Sequence, residues 1–224
     1  MALLLHIDTS TDLAGICLSE DETILSYSEN KQQRDHASWI QPAIRQLMND
    51  NARTLHQLNG IGVTSGPGSY TGLRVGFSTA KGLCYALQIP LITINTLEAM
   101  ASAVSPEPNV LVCPMIDARR LEVFTAIYDN ELREVLKPVA MQVDFDAFDE
   151  YLHNHQVIFF GNGAPKLKDR IRHVNARFED IHFTACHMAQ LISKKNNLKL
   201  YADLPYSEPE YFKEFYTSSL NKTV

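Results

Sequence analysis

The sequence predicts an α/β protein built from two similar lobes. Each half opens with strand-like stretches, and in each half a later strand runs into a glycine loop and a helix. A turn-forming break, SPEP (105–108), separates the two halves. The chain has 224 residues, of which 45% are hydrophobic and 21% are charged, as is usual for a globular protein. This length is sufficient for two modest hydrophobic cores.

Five strands are predicted in the first half. LLLHID (3–8), AGICLS (14–19) and TILSYS (23–28) are joined by tight polar turns, which is typical of neighbouring antiparallel strands. GIGVTS (60–65) leads into the glycine loop, and PLITI (90–94) follows the helix after that loop. We expect these strands to form one sheet.

Three helices are predicted between these strands. Apolar residues at helical spacing predict the first over 36–50, where Pro42 should lie in the first turn or kink the helix. The second is predicted over Leu73–Leu87. A short third helix, capped by Thr96, is predicted to run through Met100.

The second half repeats this order of elements. It contains a strand in VLVCPMID (110–117), a strand and turn in LEVFTAIYDNE (121–131), a third strand (132–142), a helix from Asp144 to His153, and the strand, loop and helix of VIFFGNGAPK (157–166). Three antiparallel strands followed by a helix and a strand are typical of a ribonuclease-H-like lobe. Two such lobes form the ASKHA architecture of actin, Hsp70 and hexokinase. We place the lobes at 1–104 and 105–224.

Charge and cysteine content exclude several classes of protein. The net charge of −6 argues against a large nucleic-acid-binding surface, which would require a basic bias. The apolar run before His6 is too short for a signal peptide or a membrane span. No C-x-x-C pair occurs, so a metal cluster or redox motif is not expected from the four cysteines, Cys17, Cys84, Cys113 and Cys186. We therefore expect a soluble cytoplasmic protein.

The stretch TSGPGSYTGLRVG (64–76) is similar to loops that hold a phosphate. It is not a Walker A loop, because no lysine follows its glycines, and it is one residue too long for a dinucleotide fingerprint. A glycine loop before a helix N-terminus still suits an anion, although Ser69 and Thr71 are also expected to cap that helix. Actin-like proteins carry a D-x-G-T turn after the first strand, and here Ser10 replaces its glycine. The candidates for anion or nucleotide contact are Asp8, Thr9, Ser10, Gly66, Gly68 and Ser69.

The helix after this loop carries a stripe of small residues, formed by Gly72, Gly76, Ala80 and Cys84. Because glycine disfavours a helix interior, the stripe indicates that another backbone approaches closely. That backbone belongs either to the protein's own sheet or to another chain. The second interpretation predicts a partner or dimer surface formed by Trp39, Ile40, Ile44, Leu47, Tyr70, Gly72, Arg74, Gly76 and Ala80.

Several segments resemble the TsaB (YeaZ) family. SGPGSYTGLRVG (65–76) is very similar to the family's signature, and further matching segments follow the family's order: HIDTST, RDHASWIQP, MIDARRLEVFTAIYD, GNGAPK and, more loosely, EPEYF (208–212). The resemblance implies two actin-like lobes and a non-catalytic role in threonylcarbamoyladenosine synthesis at adenosine 37 of tRNAs that read ANN codons. It implies a homodimer that binds the catalytic subunit TsaD through the N-terminal lobe, with the ATPase TsaE joining the assembly. tRNA would be contacted only through this complex, and ATP or ADP would be held only there.

The histidines bear on whether this chain could itself be catalytic. TsaD-like catalysis requires a helical H-x-x-x-H pair, whose members share one helix face, together with an aspartate. Here His36 lies in the comparable helix, but Ile40 occupies the second position. The other close histidines, His153 with His155 and His182 with His187, are interpreted as surface polar residues. We therefore expect no metal, no tightly bound cofactor and no catalytic residue. The alternative is an independent actin-like ATPase or small-molecule kinase that uses Asp8 and the glycine loop in a cleft between the lobes.

Overall fold

The computed structural model describes residues 1–32, 35–142, 144 and 146–213. Its strands are β1 (Leu3–Asp8), β2 (Ala14–Glu20), β3 (Thr23–Asn30), β4 (Gly60–Gly66), β5 (Leu91–Asn95), β6 (Val110–Asp117), β7 (Glu122–Tyr128), β8 (Glu134–Gln142), β9 (Gln156–Phe160) and β10 (Ala176–Phe178). Its helices are α1 (His36–Asp50), α2 (Tyr70–Leu87), α3 (Thr96–Ala101), α4 (Asp149–Leu152), α5 (Pro165–Lys168) and α6 (Ala189–Asn197). Within these ranges, no helix combines the length and the apolar character needed to cross a lipid bilayer.

The strands form two five-stranded sheets with the same topology. The first has the order β3-β2-β1-β4-β5 and the second β8-β7-β6-β9-β10. In each sheet three consecutive strands pair antiparallel, and the last two strands add in parallel on the other side of the first. This is the predicted repeat, and it confirms the two-lobed α/β fold expected from the order of elements.

Strand β1 is the centre of the first sheet, and all six of its residues are buried. Leu3, Leu5 and Ile7 pack into a core with α1 and α2, whereas Leu4 lies in the cluster on the opposite face with Ile192 of α6. Because helices cover both faces of this sheet, Leu3, Leu4 and Leu5 of its central strand are consecutive apolar residues and do not alternate with polar ones.

The short helix α3 lies between the two sheets. Its residues Leu97 and Met100 belong to a cluster with strands of the second sheet, while Ala99 packs in a cluster with strands of the first. The far face of the second sheet is covered by α4 and α5, through Leu152 and Leu167. Apolar contacts therefore connect the lobes through α3.

The predicted starts of two helices are wrong, because different residues cap them. Helix α2 begins at Tyr70, three residues before the predicted start, because the side chain of Ser69 accepts a hydrogen bond from the amide of Gly72. Thr71 lies inside the helix and is not its cap. Helix α3 is capped by Asn95, whose side chain accepts from the amide of Leu97 at 2.9 Å, and the predicted cap Thr96 is the first helical residue.

Two further predictions concern helices. Pro42 lies inside α1 and not in its first turn, which excludes one of its two predicted roles; whether it kinks the helix stays a prediction. The helix predicted from Asp144 to His153 is present only as α4, Asp149–Leu152, and Phe145 of that stretch lies outside the described residues. Of the four residues of α4, Leu152 is the one that is buried.

A histidine is buried inside the first sheet. His6 of β1 is fully buried; its Nε2 is 2.8 Å from Ser19 Oγ, and its Nδ1 has no hydrogen-bond partner among the described residues. Burial disfavours the charged ring and lowers the pKa of His6 from 6.5 to about 3. Between these two pH values the unfolded chain binds more protons than the folded chain, so His6 makes the fold less stable as the pH falls.

Lowering the pH from 7 to 5 should reduce the free energy of unfolding by about 2 kcal/mol through His6 alone. Glutamine does not titrate, so between pH 7 and 5 the free energy of unfolding of His6→Gln should decrease by about 2 kcal/mol less than that of the parent protein. Urea denaturation of both proteins at the two pH values measures the difference, and all other titrating groups are common to both. Equal pH dependence in the two proteins would contradict the assignment.

Candidate functional site

The turn after β1 is held by the carboxylate of Asp8. Its Oδ1 accepts hydrogen bonds from the amide of Ser10 at 3.1 Å, from the Ser10 hydroxyl at 2.6 Å and from the Thr64 hydroxyl at 2.7 Å. Asp8 is only 3% exposed. Burial raises the pKa of this carboxyl, and the hydrogen bonds from Ser10 and Thr64 act in the opposite direction. The aspartate therefore ties β1 to β4 and fixes the turn.

The glycine loop packs directly on this turn. The amide of Ser69 donates to the carbonyl of Ser10 at 2.6 Å, and the hydroxyl of Thr9 donates to the carbonyl of Gly72 at 2.7 Å. A Cβ atom at Gly68 would lie 2.2 Å from the Ser10 carbonyl oxygen, and one at Gly72 would lie 2.0 Å from the Thr9 carbonyl oxygen. The glycines thus permit close contact between two segments of backbone.

The structure therefore brings together the six candidates for anion or nucleotide contact. At the start of α2, the backbone amide of Ser69 already donates to the carbonyl oxygen of Ser10 and is not available to an anion. Ser69 also uses its hydroxyl to cap the helix, by accepting from the amide of Gly72 at 3.3 Å. Contact of these residues with a nucleotide stays a prediction, and in this structure their hydrogen bonds serve the fold.

The small-residue stripe of α2 also faces the protein's own sheet. A Cβ atom at Gly76 would lie 2.3 Å from the Thr9 hydroxyl, and Ala80 and Cys84 are fully buried in the core under α1 and α2. Of the two interpretations of the stripe, packing on the chain's own sheet is the one that the structure supports.

The predicted partner surface is corrected accordingly. Its buried members lie in the first lobe's core and offer no surface to another chain; they are Ile40, Ile44, Leu47, Gly72, Gly76 and Ala80. One five-stranded sheet needs these apolar helix faces to cover it. Trp39 is half-buried, Tyr70 is half-buried and Arg74 is exposed. For these three residues, a role at an interface stays a prediction.

A C-terminal segment, residues 202–213, crosses the front of the glycine loop, and we refer to it as the strap. Its first residue is bonded to the first sheet, where the amide of Ala202 donates to the carbonyl of Leu91 in β5 at 2.9 Å. Lys81 of α2 then donates to two strap carbonyls, those of Pro205 at 3.2 Å and Ser207 at 2.7 Å. The first half of the strap is thus hydrogen-bonded to β5 and to α2 of the first lobe.

The centre of the strap contacts the loop itself. The amide of Glu210 donates to the carbonyl of Ser65 at 2.7 Å. Gly66, at φ 119°, has the left-handed backbone that glycine permits, and a Cβ atom there would lie 2.5 Å from the Glu210 carbonyl oxygen. Both the conformation of β4's last residue and the approach of the strap therefore require glycine at this position.

An aromatic and cationic cluster anchors the strap to α2. The Tyr70 and Tyr211 rings are 5.0 Å apart, and the Arg74 guanidinium lies 4.0 Å from the centre of the Tyr70 ring. Arg74 Nε also donates to the Tyr211 hydroxyl at 3.1 Å. A cation over a tyrosine ring and a tilted aromatic pair each contribute to stability beyond simple burial.

The end of the strap reaches the second lobe. The Phe212 ring lies 6.4 Å from that of Phe124 in β7, and Lys213 forms an ion pair with Glu122 of the same strand. Four successive residues, 210–213, therefore connect the first lobe to the second. Periodicity could not have revealed the strap, because it lacks regular secondary structure; the EPEYF motif was its only sequence signal.

The histidines do not converge into a metal site in the structure. Among the described residues, no group of three or more His, Cys, Asp or Glu side chains could hold a metal ion. His36 is buried in α1, and Ile40 one turn later packs into the core. His182 is 3.2 Å from Glu29 Oε1, and the His187 ring is 3.1 Å from the amide of Thr184, which it helps to cap. The expectation that the chain binds no metal stays a prediction.

Comparison with known proteins places these features in a family. The family model TsaD, tRNA N6-adenosine threonylcarbamoyltransferase, matches residues 23–212. The chain is 36% identical over 137 residues to the tRNA threonylcarbamoyladenosine biosynthesis protein TsaB of Bacillus subtilis (strain 168), which covers 60% of this chain and 59% of that protein. It is 32% identical over 145 residues to TsaB of Escherichia coli (strain K12), covering 60% and 62%. The matches thus span about 60% of the length of these curated relatives.

Solved structures show the same fold. The structure of YeaZ from Pseudomonas aeruginosa is similar with a TM-score of 0.77 and 24% identity, over 94% of this chain and 100% of that chain. A second structure, of an uncharacterized protein with similarity to peptidase YeaZ from Pseudomonas aeruginosa, gives a TM-score of 0.80 at 24% identity, over 95% and 100%. At this level of identity the likeness establishes the shared fold alone.

Gly72→Ala should lower the free energy of unfolding by about 1–3 kcal/mol, because the added methyl group would overlap the Thr9 carbonyl. Gly82→Ala is the matched control in the same helix: a Cβ atom there meets nothing within 4 Å, so alanine should stabilise by up to about 1 kcal/mol. Urea denaturation measures both. If Gly72→Ala were as stable as Gly82→Ala, the close packing of loop and turn would be contradicted.

Tyr211→Ala should loosen the strap without unfolding the lobes. Loss of its contacts with Tyr70 and Arg74 should speed hydrogen exchange at the Glu210 amide at least about tenfold, which corresponds to about 1.4 kcal/mol. Tyr206→Ala is the control, since this strap tyrosine is 85% exposed. Hydrogen exchange read by mass spectrometry compares the two variants with the parent. Equal protection at Glu210 in all three proteins would show that the cluster does not hold the strap.

Proposed function

The chain belongs to the family of tRNA N6-adenosine threonylcarbamoyltransferases and, within it, to the TsaB (YeaZ) group, and from this we propose that it acts in threonylcarbamoyladenosine synthesis on tRNA as a non-catalytic subunit. It supports a catalytic TsaD subunit, together with TsaE, in the modification of adenosine 37 of tRNAs that read ANN codons. The observation that carries the non-catalytic role is the packing of the glycine loop on the Asp8 turn.

An actin-like active site needs an accessible carboxylate and room for phosphate beside the glycine loop. In this chain Asp8 is buried and accepts three hydrogen bonds from its own turn and from Thr64. The amide of Ser69 is bonded to the carbonyl of Ser10, and the strap crosses in front of Gly66. The alternative function, an independent ATPase or kinase, would require these groups to be free, and we do not favour it.

The potential metal ligands in α1 are also consistent with a non-catalytic role. A metal held by histidines four residues apart needs both side chains on one exposed helix face. Here the pair is reduced to His36, and Ile40 points into the apolar core with Ile44. The chemistry of threonylcarbamoyl transfer would then belong to the TsaD subunit, and ATP or ADP would bind only in the assembled complex.

We propose that TsaD binds the first lobe beside the strap. Tyrosine and arginine are enriched among the residues that dominate protein interfaces, and here Tyr70, Arg74 and Tyr211 form one cluster at the surface. The exposed face of α2 continues past this cluster to Tyr85, which is 73% exposed. A homodimer of this chain would use the same lobe. The net charge of −6 supports tRNA contact through the complex, since phosphate binding needs clustered lysine and arginine.

The proposal predicts that depletion of this protein in its own organism lowers the threonylcarbamoyladenosine content of bulk tRNA, measured by mass spectrometry of nucleosides. Restoring the gene should restore the modified nucleoside, and purified chain alone should show no transfer activity. Unchanged nucleoside content after depletion would overturn the proposed function.

The docking surface is tested by co-purification with the organism's TsaD. Arg74→Glu should weaken binding at least about tenfold, as expected for an arginine at the centre of an interface. Arg177→Glu on β10 is the control, because it removes a surface ion pair with Glu179 in the second lobe. Tyr211→Ala distinguishes direct from indirect effects, since it releases the strap and retains Arg74. Wild-type affinity in Arg74→Glu would exclude this surface.

A further inference from the structure

Two of the four cysteines meet across the back of the first sheet. Gly15 and Cys17 lie on the same face of β2, and a Cβ atom at Gly15 would be 3.4 Å from the Cβ of Ala185, at the start of the 3-10 turn Ala185–Met188. Cys186 follows Ala185 directly and packs against the apolar cluster that contains Cys17. The two thiols are close enough for each to affect the pKa of the other.

The two thiols have different environments. Cys186 is half-buried, whereas Cys17 is fully buried. The neighbouring Cys17 thiol and the Thr184 side chain lower the pKa of Cys186 to about 7, although burial and the charge of Glu29 act against it. The interaction with Cys186 and burial raise the pKa of Cys17 well above its ordinary range. Near neutral pH Cys186 is therefore a partly ionised and partly exposed thiol, and Cys17 is a buried, protonated thiol beside it.

The remaining cysteines lack this arrangement. Cys84 donates to the carbonyl of Pro90 at 3.4 Å, and Cys113 is 3.2 Å from the Thr125 hydroxyl. Burial raises the pKa of each thiol to about 12. They should be unreactive in the folded protein and provide internal controls within the same chain.

From this juxtaposition we propose that Cys17 and Cys186 form a reversible disulfide when the folded protein meets hydrogen peroxide. The Cys186 thiolate attacks one peroxide oxygen, the O–O bond breaks, and hydroxide leaves and takes up a proton to become water. Cys186 is then a sulfenic acid. The Cys17 sulfur attacks the Cys186 sulfur, the S–S bond forms, the S–O bond breaks, and the Cys17 proton leaves with the hydroxyl group as a second water. Two electrons pass from the thiols to the peroxide, and a dithiol reductant reverses the link.

The link would join the first sheet to the chain that returns from the second lobe. Cys186 lies just before α6, where Ile192 packs so closely that a Cβ atom at Gly62 would be 2.7 Å from it. The strap begins a few residues after α6. Oxidation at Cys17 and Cys186 would therefore fasten the root of the strap to β2. This inference does not depend on the proposed function.

The test is peptide mapping of the full chain after treatment with a small excess of hydrogen peroxide at pH 7.5, under non-reducing conditions. The expected product is a peptide pair linked through Cys17 and Cys186, which dithiothreitol converts back to free thiols. Cys84→Ser should retain the link, whereas Cys186→Ser should lose it and keep Cys17 as a free thiol. Oxidation of Cys186 to sulfinic acid with Cys17 still free, or its linkage to a second molecule, would overturn the proposal.

A second measurement does not require oxidation. With the native protein at pH 7.5, iodoacetamide should label Cys186 at least about a hundredfold faster than Cys84 or Cys113, because only Cys186 is a substantially ionised and accessible thiol. Circular dichroism confirms that each variant is folded. Equal labelling rates for the three cysteines in folded protein would contradict the assignment of Cys186 as the attacking thiol.

Discussion

The contact between the turn after β1 and the start of α2 determines most of the first lobe. Carbonyl oxygens of Thr9 and Ser10 lie where side chains at Gly72 and Gly68 would otherwise be, so helix and turn meet backbone to backbone. Asp8 holds the turn from beneath through Ser10 and Thr64. This arrangement sets the angle of α2 on the sheet and brings Tyr70 and Arg74 to the surface where the strap lies.

The same fold is used differently in the two lobes. Both sheets place an aspartate at the end of their first strand, Asp8 in β1 and Asp117 in β6. Asp8 is buried among hydroxyl groups, whereas Asp117 is exposed and pairs with Lys166, and hydrogen bonds from Lys166 and the Arg119 amide help to keep its pKa low despite partial burial. Equivalent positions thus hold a buried, hydrogen-bonded carboxylate in one lobe and a surface ion pair in the other.

The sequence was most informative where physical constraints are local. Apolar runs such as LLLHID and the spacing of Ile40, Ile44 and Leu47 predicted the strands and α1 correctly, because burial imposes those patterns residue by residue. It was less informative on what each apolar face contacts. The stripe at Gly76 and Ala80 is compatible with a sheet or with a second chain, and only the position of Thr9 distinguishes them.

Long-range contacts were beyond sequence reasoning for a related reason. The strap has no period, and its partners Ser65, Arg74 and Glu122 are far away along the chain. The pairing of Cys17 with Cys186 similarly depends on the path of the chain back from the second lobe. The absence of a C-x-x-C motif argues against a redox site formed by neighbouring residues, but it does not exclude a pair that the fold assembles.

The position of the strap in the chain has a consequence for synthesis on the ribosome. The strands and helices of the first lobe are translated before residues 202–213, because the whole second lobe comes between them. Throughout that interval the nascent first lobe has its glycine loop and Tyr70 uncovered. A protein that binds this lobe during translation would therefore meet a surface that the strap covers once the chain is complete.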